Sequence, residues 1–363
     1  MSHSKEEILR RGWQPQETQH SMKRRKPWHN YHLKGTYMLT LVVEGRRPVL
    51  GRLCSNHCAD AQGQAAVSGA YIELSALGKA ICNEEIRKIS TFYPMVEIWK
   101  LCIMPDHIHM IVRVKEDLPE GKHLGHIVAG FKGGCSRAWW RIASNRCADA
   151  QGVVAKDAQG VVAATTPAAS AAVQGKGAPL FEEGYNDLIL VDEGQLENWK
   201  AYLDDNPRRL AVKRLHPDFF TTLKYRDIAE WEHCQLVGNS FLLDIPQKVA
   251  VIVHGAYGDQ EFANYREQWL ACGEAGGILV SAAIATREKE VMREAMDRGY
   301  RVILVRENGF PPLYKPAGEA FDACSAGRLL QVGPWAYHME RRRISREQCL
   351  ILNRLVETIV GMP

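Results

Sequence analysis

The chain has 363 residues, a formal net charge of +4 and a hydrophobic content of 46%. This length predicts two domains, and no apolar run is long enough for a membrane helix, so we expect no membrane partner. Ten cysteines without regular spacing, and no secretory signal, favour reduced thiols in the cytoplasm over a disulfide-bonded secreted protein.

The first 26 residues predict a flexible basic arm. Within it, Lys23, Arg24, Arg25 and Lys26 are candidate contacts to the phosphates of a nucleic acid. The alternative for such a cluster is ordinary solvated surface charge.

Hydrophobic periodicity predicts a mixed α+β domain over residues 27–217. The predicted strands are 31–43, 96–104, 107–114 and 185–191, and the predicted helices are 75–92, 124–143 and one that ends at Asn206. This order is compatible with the split β-α-β, ferredoxin-like (RRM-like) plan. In that plan helices cover one face of the sheet, and we expect the other face to be free.

A repeated motif interrupts this domain. Ser-Asn-x-Cys-Ala-Asp-Ala-Gln-Gly occurs at residues 55–63 and again at 144–152. Its weakly hydrophobic composition predicts disordered surface loops, inserted at about 54–68 and 144–178. Cys54 and Cys58 do not indicate zinc, because no second Cys/His pair follows at the spacing of a zinc finger.

Two histidines stand in the predicted strand 107–114. Residues i and i+2 of a strand share one face, so His107 and His109 project together while Ile108, Met110 and Val112 face the core. Two imidazoles on one sheet face form half of a site for a divalent cation. The alternative is a pair of partly exposed strand histidines.

A tyrosine stands near the end of the last predicted helix of this domain. Pro207 disfavours helical geometry in the preceding residue, which predicts that the helix ends at Asn206 with Tyr202 one turn earlier. A phenol and an amide therefore project side by side. Tyr185 is the rival nucleophile, with packing on the sheet as its structural alternative.

Met104-Pro105-Asp106-His107-Ile108-His109 and Tyr202-x-x-x-Asn206-Pro207 resemble the two motifs of the HUH superfamily of single-tyrosine DNA transposases, most closely the REP-associated tyrosine transposases. The resemblance spans about residues 28–217. It implies an HUH domain in which His107, His109 and Asn206 bind Mg²⁺ or Mn²⁺ and Tyr202 attacks a DNA phosphate. It also implies single-stranded or hairpin DNA as the partner. Some relatives exchange the tyrosine helix between two subunits and others act alone, so both a homodimer and a monomer stay open for this chain.

The residue types suit that chemistry. Two imidazoles and an amide are neutral, so a bound cation keeps its full charge to polarise a phosphate, whereas the phenol, with a pKa near 10, needs activation. Arg137, Arg208 and Arg209 are further candidate DNA contacts. Two alternatives stay open, a non-cleaving regulator that binds nucleic-acid hairpins and a hydrolase of small phosphoesters. Asp106 is interpreted as a cap of its turn.

Residues 218–363 predict a second, α/β domain. Apolar runs at 248–255, 278–281 and 300–305 alternate with helical stretches, including 286–298, which indicates a Rossmann-like parallel sheet. The part around 281–286 weakly resembles the Rossmann-like domain of DNA-processing proteins. A ligand, whose identity the sequence leaves open, is expected at the carboxyl ends of the strands: His254 and Gly255, Ser281 and Ala282, and 306–309. The alternative is a structural or partner-binding appendage.

Overall fold

In the computed structural model, the described residues are 26, 28–59, 65–154, 177–255, 257–312, 314–339 and 344–362. They form two compact units, divided between Ala211 and Val212, with residues 59, 65 and 66 grouped with the second unit. Lys23, Arg24 and Arg25 lie outside the described residues. Along the described part of the chain, none of the helices has both the length and the apolar character needed to cross a membrane.

The first unit is built on a four-stranded antiparallel sheet. Its strands, in spatial order, are β4 (Val96–Ile103), β5 (His107–Val114), β1 (Gly35–Val42) and β6 (Asn186–Ile189). A separate two-stranded ribbon contains β2 (Gly51–Ala59) and β3 (Ala65–Leu74). The predicted strands are present, although β1 and β6 are shorter than the apolar pattern indicates.

Two helices cover one face of this sheet. Helix α1 consists of the consecutive segments Ala76–Ala80, Ile81–Glu85 and Ile86–Phe92, of which the middle one is a π-helical turn; helix α2 is Leu124–Val154. Their apolar side chains share a core with the alternate residues of β5, Ile108, Met110 and Val112, each at most 2% exposed. The predicted inward face of β5 is confirmed.

The opposite sheet face is not free. Helix α3 (Gln195–Leu215) packs Trp199 and Leu203 against Met38 and Ile111, and these four residues form a second apolar cluster. The expectation of an uncovered face is therefore wrong. The physical reason is that α3 has an apolar stripe of its own, which is stabilised by burial on the sheet.

The repeated motif adopts two different backbone conformations. Residues 55–59 of the first copy lie in β2, whereas the second copy lies in the last part of α2. The interpretation as loops is therefore wrong for the described parts of the two segments, while 60–64 and 155–176 are outside them. Because the shared residues are the same, the surrounding chain decides between strand and helix at these positions.

The second unit contains a six-stranded mixed sheet in the order β7-β8-β12-β11-β10-β9. Strands β9 to β12 are mutually parallel, and β8 and β7 extend the sheet antiparallel. The strands are β7 (Leu223–Ile228), β8 (Trp231–Gly238), β9 (Lys248–Ala250), β10 (Ile278–Ser281), β11 (Arg301–Val305) and β12 (Leu329–Gly333). The helices are α4 (Asp259–Glu274), α5 (Thr286–Asp297), α6 (Glu319–Ser325) and α7 (Arg346–Gly361).

A buried carboxylate closes the amino-terminal end of α5. Glu288 is 3% exposed, and its two carboxylate oxygens accept hydrogen bonds from the backbone N–H groups of Val253, Ile284 and Ala285 at 2.7–3.1 Å. These donors connect the segment after β9 with the turn that precedes α5. Glu288 thus ties the residues before α5 to the segment after β9, and places a negative charge at the amino-terminal end of the helix.

Candidate active site

His107 and His109 lie at the beginning of β5, on the sheet face that α3 covers. Their ring centroids are 4.7 Å apart with the rings nearly perpendicular. His109 is 7% exposed, whereas His107 is half-buried. The strand alternation that predicted a shared face for the two imidazoles is present in the structure.

A neighbouring oxygen orients each imidazole. The Nδ1 atom of His107 is 2.6 Å from Oδ1 of Asp106, and the Nδ1 atom of His109 is 2.8 Å from Oγ1 of Thr40. In the tautomers that donate from Nδ1, each ring has its lone pair on Nε2, the atom that can bind a metal. Such partners fix the orientation and basicity of ligating histidines.

Asp106 therefore does more than cap its turn. Burial alone would raise the pKa of its carboxyl group, but the hydrogen bond from His107, together with Arg46, more than offsets this effect and lowers that pKa. The Nη1 atom of Arg46 lies 3.3 Å from Oδ2 of Asp106. The carboxylate is thus kept ionised and available to His107.

Tyr202 and Asn206 lie one turn apart on α3. The Tyr202 side chain is 38% exposed, and its ring centroid is 5.7 Å from that of His109. The guanidinium carbon of Arg209 lies 5.6 Å from the centre of the same ring, close enough for a cation–π interaction. A phenol, a guanidinium group and an imidazole therefore lie close together where the helix crosses the sheet.

Asn206 is a buried polar residue of α3, one turn after Tyr202. It is 5% exposed, and its Nδ2 atom has no hydrogen-bond partner among the described residues. A buried polar atom without a partner calls for a specific explanation, such as an ion or water in the complete site. Rotation of the amide by half a turn exchanges its oxygen and nitrogen, so a carbonyl ligand is available at this position.

An ion pair also joins α3 to the sheet. Lys100 of β4 lies 2.5 Å from a carboxylate oxygen of Asp204, two residues after Tyr202. Partly exposed pairs of this kind contribute up to about 1 kcal/mol, so the pair serves mainly to set the position of the helix. The adjacent Asp205 binds Arg208 through two contacts of 2.5 and 2.9 Å, and Arg208 is thus held within its own helix.

The helix does not end where the sequence predicts. Pro207 lies inside α3, which continues to Leu215; the predicted end at Asn206 is wrong. A proline inside a helix removes one backbone hydrogen bond and costs about 3 kcal/mol. Burial of Leu203, Ala211 and Val212 on either side of it stabilises the continuous helix against this loss.

Other predicted residues lie elsewhere in the first unit. Tyr185 packs against the core cluster that contains Ile108 and Met110, on the other side of the sheet from His107 and His109. Arg137 of α2 is on that side as well, where it lines a cavity next to α1. Lys26 lines a small surface pocket with Trp28 and Leu188.

Sequence reasoning missed Thr40, Arg46 and Lys100. A pattern in the chain could have indicated that Thr40 points to one face of β1, but its partner depends on the pairing of β1 with β5, which sets Thr40 opposite His109. Lys100 and Arg46 carry no signal beyond their charge.

The side chains near the two histidines limit how a divalent cation could be held. Among the described residues, no group of three or more His, Cys, Asp and Glu side chains could hold a metal ion. A site built on His107 and His109 therefore needs a third ligand of another type, and the buried, unsatisfied amide of Asn206 is of that type. Imidazole nitrogens and a carbonyl oxygen are ligands of divalent cations, and the binding of Mg²⁺ or Mn²⁺ at these residues stays a prediction.

The second unit was expected to offer ligand-binding residues at the carboxyl ends of its strands. Ser281 is completely buried, and its hydroxyl is bonded to the carbonyl oxygen of Val251 and the amide of Ala283 at 2.7 and 2.9 Å. It is therefore not accessible to a ligand. His254, Gly255 and Arg306 are exposed at this edge.

Comparisons with known proteins give only distant likenesses. No family model and no curated protein matches the chain. A structure of the DNA processing protein A from Helicobacter pylori, described with its single-stranded DNA binding mode, has a TM-score of 0.29 and 17% identity. The match takes in 38% of this chain and 65% of that one, so this chain spans a little under two thirds of that structure.

Two transposase structures are also similar to parts of the chain. A REP-associated tyrosine transposase bound to a REP hairpin has a TM-score of 0.26 and 13% identity, over 50% of this chain and 71% of the other. A candidate transposase from Deinococcus radiodurans R1 has a TM-score of 0.25 and 17% identity, over 49% and 94%. At TM-scores of this size, none of these likenesses establishes a shared fold.

Proposed function

We propose that this protein is a metal-dependent transposase that cleaves and rejoins single-stranded DNA, at hairpin sequences, through a covalent phosphotyrosine at Tyr202. The observation that supports this most directly is the 5.7 Å separation of the Tyr202 and His109 rings across the contact between α3 and the sheet. A tyrosine that only packed would have no need of a pair of oriented imidazoles beside it.

The ligand set in this proposal is His107, His109 and Asn206. A Mg²⁺ or Mn²⁺ ion held there would polarise the scissile phosphate and stabilise charge on the leaving oxygen. The three donors are neutral and the nearest carboxylate, Asp106, is bonded to His107 Nδ1, so the donors leave the positive charge of the ion undiminished.

The reaction proposed for Tyr202 is an exchange of phosphoesters. Its phenolic oxygen forms a bond to phosphorus as the bond from phosphorus to the leaving sugar oxygen breaks; the phenol loses its proton to solvent and the sugar oxygen gains one. The Arg209 guanidinium over the ring favours the negative charge that develops on the phenol. Because one phosphoester replaces another, a second DNA end can reverse the step and be joined.

The test is formation of a covalent adduct. Wild-type protein is incubated with a labelled single-stranded hairpin from the flanks of its own gene and with Mn²⁺ or Mg²⁺, and the products are separated on a denaturing gel. We expect a metal-dependent adduct that is absent in Tyr202→Phe and retained in Tyr185→Phe, a matched loss of one hydroxyl outside the site.

An adduct in Tyr202→Phe would refute the assignment of the nucleophile. Binding of the hairpin without any adduct, at several metal concentrations, would refute cleavage and support the non-cleaving, hairpin-binding regulator instead. Chelation by EDTA is the control for the metal. EDTA added before the DNA should prevent formation of the adduct, whereas EDTA added afterwards should not release an adduct that has already formed.

A further inference from the structure

A second possible ligand site lies in the first unit, on the sheet face opposite the histidines. A cavity of about 470 Å³ opens between α1 and α2, which is within the range of about 300–1,000 Å³ typical of small-molecule sites. Its floor consists of Ile89, Ile127 and Phe131, each at most 6% exposed. The cavity therefore has an apolar interior that belongs to the main core.

The mouth of the cavity combines an aromatic ring with positive charge. Phe92, at the end of α1, is 75% exposed, although large aromatic side chains are usually covered. Lys88, Lys122 and Arg137 also line the cavity. Within the described part of the chain, Lys122 and Arg137 form no ion pair, so both are available to an anion.

A carboxylate distinguishes this cavity from a simple lipid site. Glu85 lines it, is 5% exposed and lies 2.6 Å from the Nζ atom of Lys88. An aliphatic chain gains nothing from a carboxylate beside it, and burial of that charge against a chain is unfavourable. A nucleobase has N–H groups, and the amino group of cytosine is a known donor to Glu and Asp.

We propose that this cavity binds a nucleotide. The base would lie on the apolar floor and against Phe92, its amino group would donate to Glu85, and its phosphate would contact Lys122 and Arg137. The charges agree with this orientation, because three cations and one carboxylate leave a net charge of +2 around the cavity. Stacking on an aromatic ring combined with phosphate contacts is a general mode of binding single-stranded nucleic acids.

Gly130 offers a direct test. It lies in the lining on α2, and a Cβ atom added there would have no neighbour within 4 Å. Gly130→Leu therefore adds an apolar side chain to the lining from a Cβ position that is free of contacts, and Leu favours the helix more than Gly does. Gly130→Ala is the matched control, since it improves the helix in the same way but leaves most of the space.

The measurement is calorimetric titration of the full chain with 5′-dCMP, and with sodium decanoate as an aliphatic anion. We expect saturable binding of dCMP that weakens at least tenfold in Gly130→Leu and changes less than threefold in Gly130→Ala. Arg137→Gln should weaken it severalfold, whereas Arg141→Gln, one turn later and outside the lining, should not. No binding of dCMP at millimolar concentration, equal binding by Gly130→Leu, or tighter binding of decanoate would overturn the proposal.

The nucleotide can come from solution or from a DNA strand. Competition between dCMP and a labelled dC oligonucleotide for the wild type separates these sources: displacement indicates a strand, and independent binding indicates a free nucleotide. The proposal goes beyond the function assigned to Tyr202, and the two can fail separately. Tyr202→Phe should retain dCMP binding. The adduct assay with the hairpin, applied to Gly130→Leu, measures the reaction of Tyr202 separately from dCMP binding.

Discussion

Replacement of Thr40 by Val tests whether the imidazole of His109 is oriented for metal binding. The substitution keeps the shape of the side chain and removes only the hydroxyl 2.8 Å from His109 Nδ1. His109 is buried, and removal of the hydroxyl deprives its Nδ1–H group of this acceptor, which costs about 1–3 kcal/mol. Loss of such a partner typically lowers metal affinity by about 10–100-fold.

Two assays measure the effect of Thr40→Val. The first is the Mn²⁺ concentration that gives half-maximal adduct, and the second is Mn²⁺ binding followed by electron paramagnetic resonance, which needs no DNA. Both midpoints should rise at least tenfold while the adduct at saturating Mn²⁺ stays near the wild-type level. The assays report on the ligand and on the reaction separately.

Thr36→Val is the matched control. Thr36 lies on the same strand and the same face, and its hydroxyl accepts a hydrogen bond from Arg113 at 3.0 Å. The control should lose a comparable amount of stability in a urea titration without any change in the Mn²⁺ midpoint. A folded Thr40→Val protein with the wild-type Mn²⁺ midpoint would refute the reasoning.

Three further predictions concern polar groups that are buried or half-buried. Asn206→Leu should abolish the adduct. In a urea titration without metal, it should leave the free energy of unfolding unchanged or raise it by about 1 kcal/mol, because it removes an unsatisfied amide. Glu288→Ala should lower that free energy by about 3 kcal/mol or more because three backbone donors lose their acceptor, and the exposed Glu290→Ala should have little effect. Burial lowers the pKa of His29 from 6.5 to about 4, so the unfolded chain takes up a proton first as the pH falls. Stability should therefore fall by about 3 kcal/mol between pH 6.5 and pH 4, and His29→Gln should reduce this dependence of stability on pH.

The histidine half of the site was predictable because its signal is local. A strand alternates its side chains with a period of two, whatever it packs against. His107 and His109 therefore had to share a face once β5 was recognised, and Ile108, Met110 and Val112 had to occupy the other. No knowledge of the remaining chain was needed for this step.

The contacts around the histidines were not predictable in the same way. Thr40 reaches His109 across 69 positions of sequence, through a strand register that no short motif specifies. The course of α3 past Pro207 likewise depends on burial of residues on both sides of the proline, which competes with a strong local preference to end the helix. Both features are set by tertiary packing.

The second unit shows why a recognisable edge of a sheet is not by itself a binding site. The amino-terminal end of a helix that follows a parallel strand attracts anions, because its backbone N–H groups are without partners. In this unit a buried carboxylate already lies at that end of α5, because Glu288 accepts hydrogen bonds from the backbone of Val253, Ile284 and Ala285, which precede the helix. A nucleotide phosphate at this end would lie near the negative charge of the carboxylate, which is electrostatically unfavourable. A ligand of this unit would therefore meet His254 and Arg306 at the exposed part of the edge, and would have to bind without the help of this helix end.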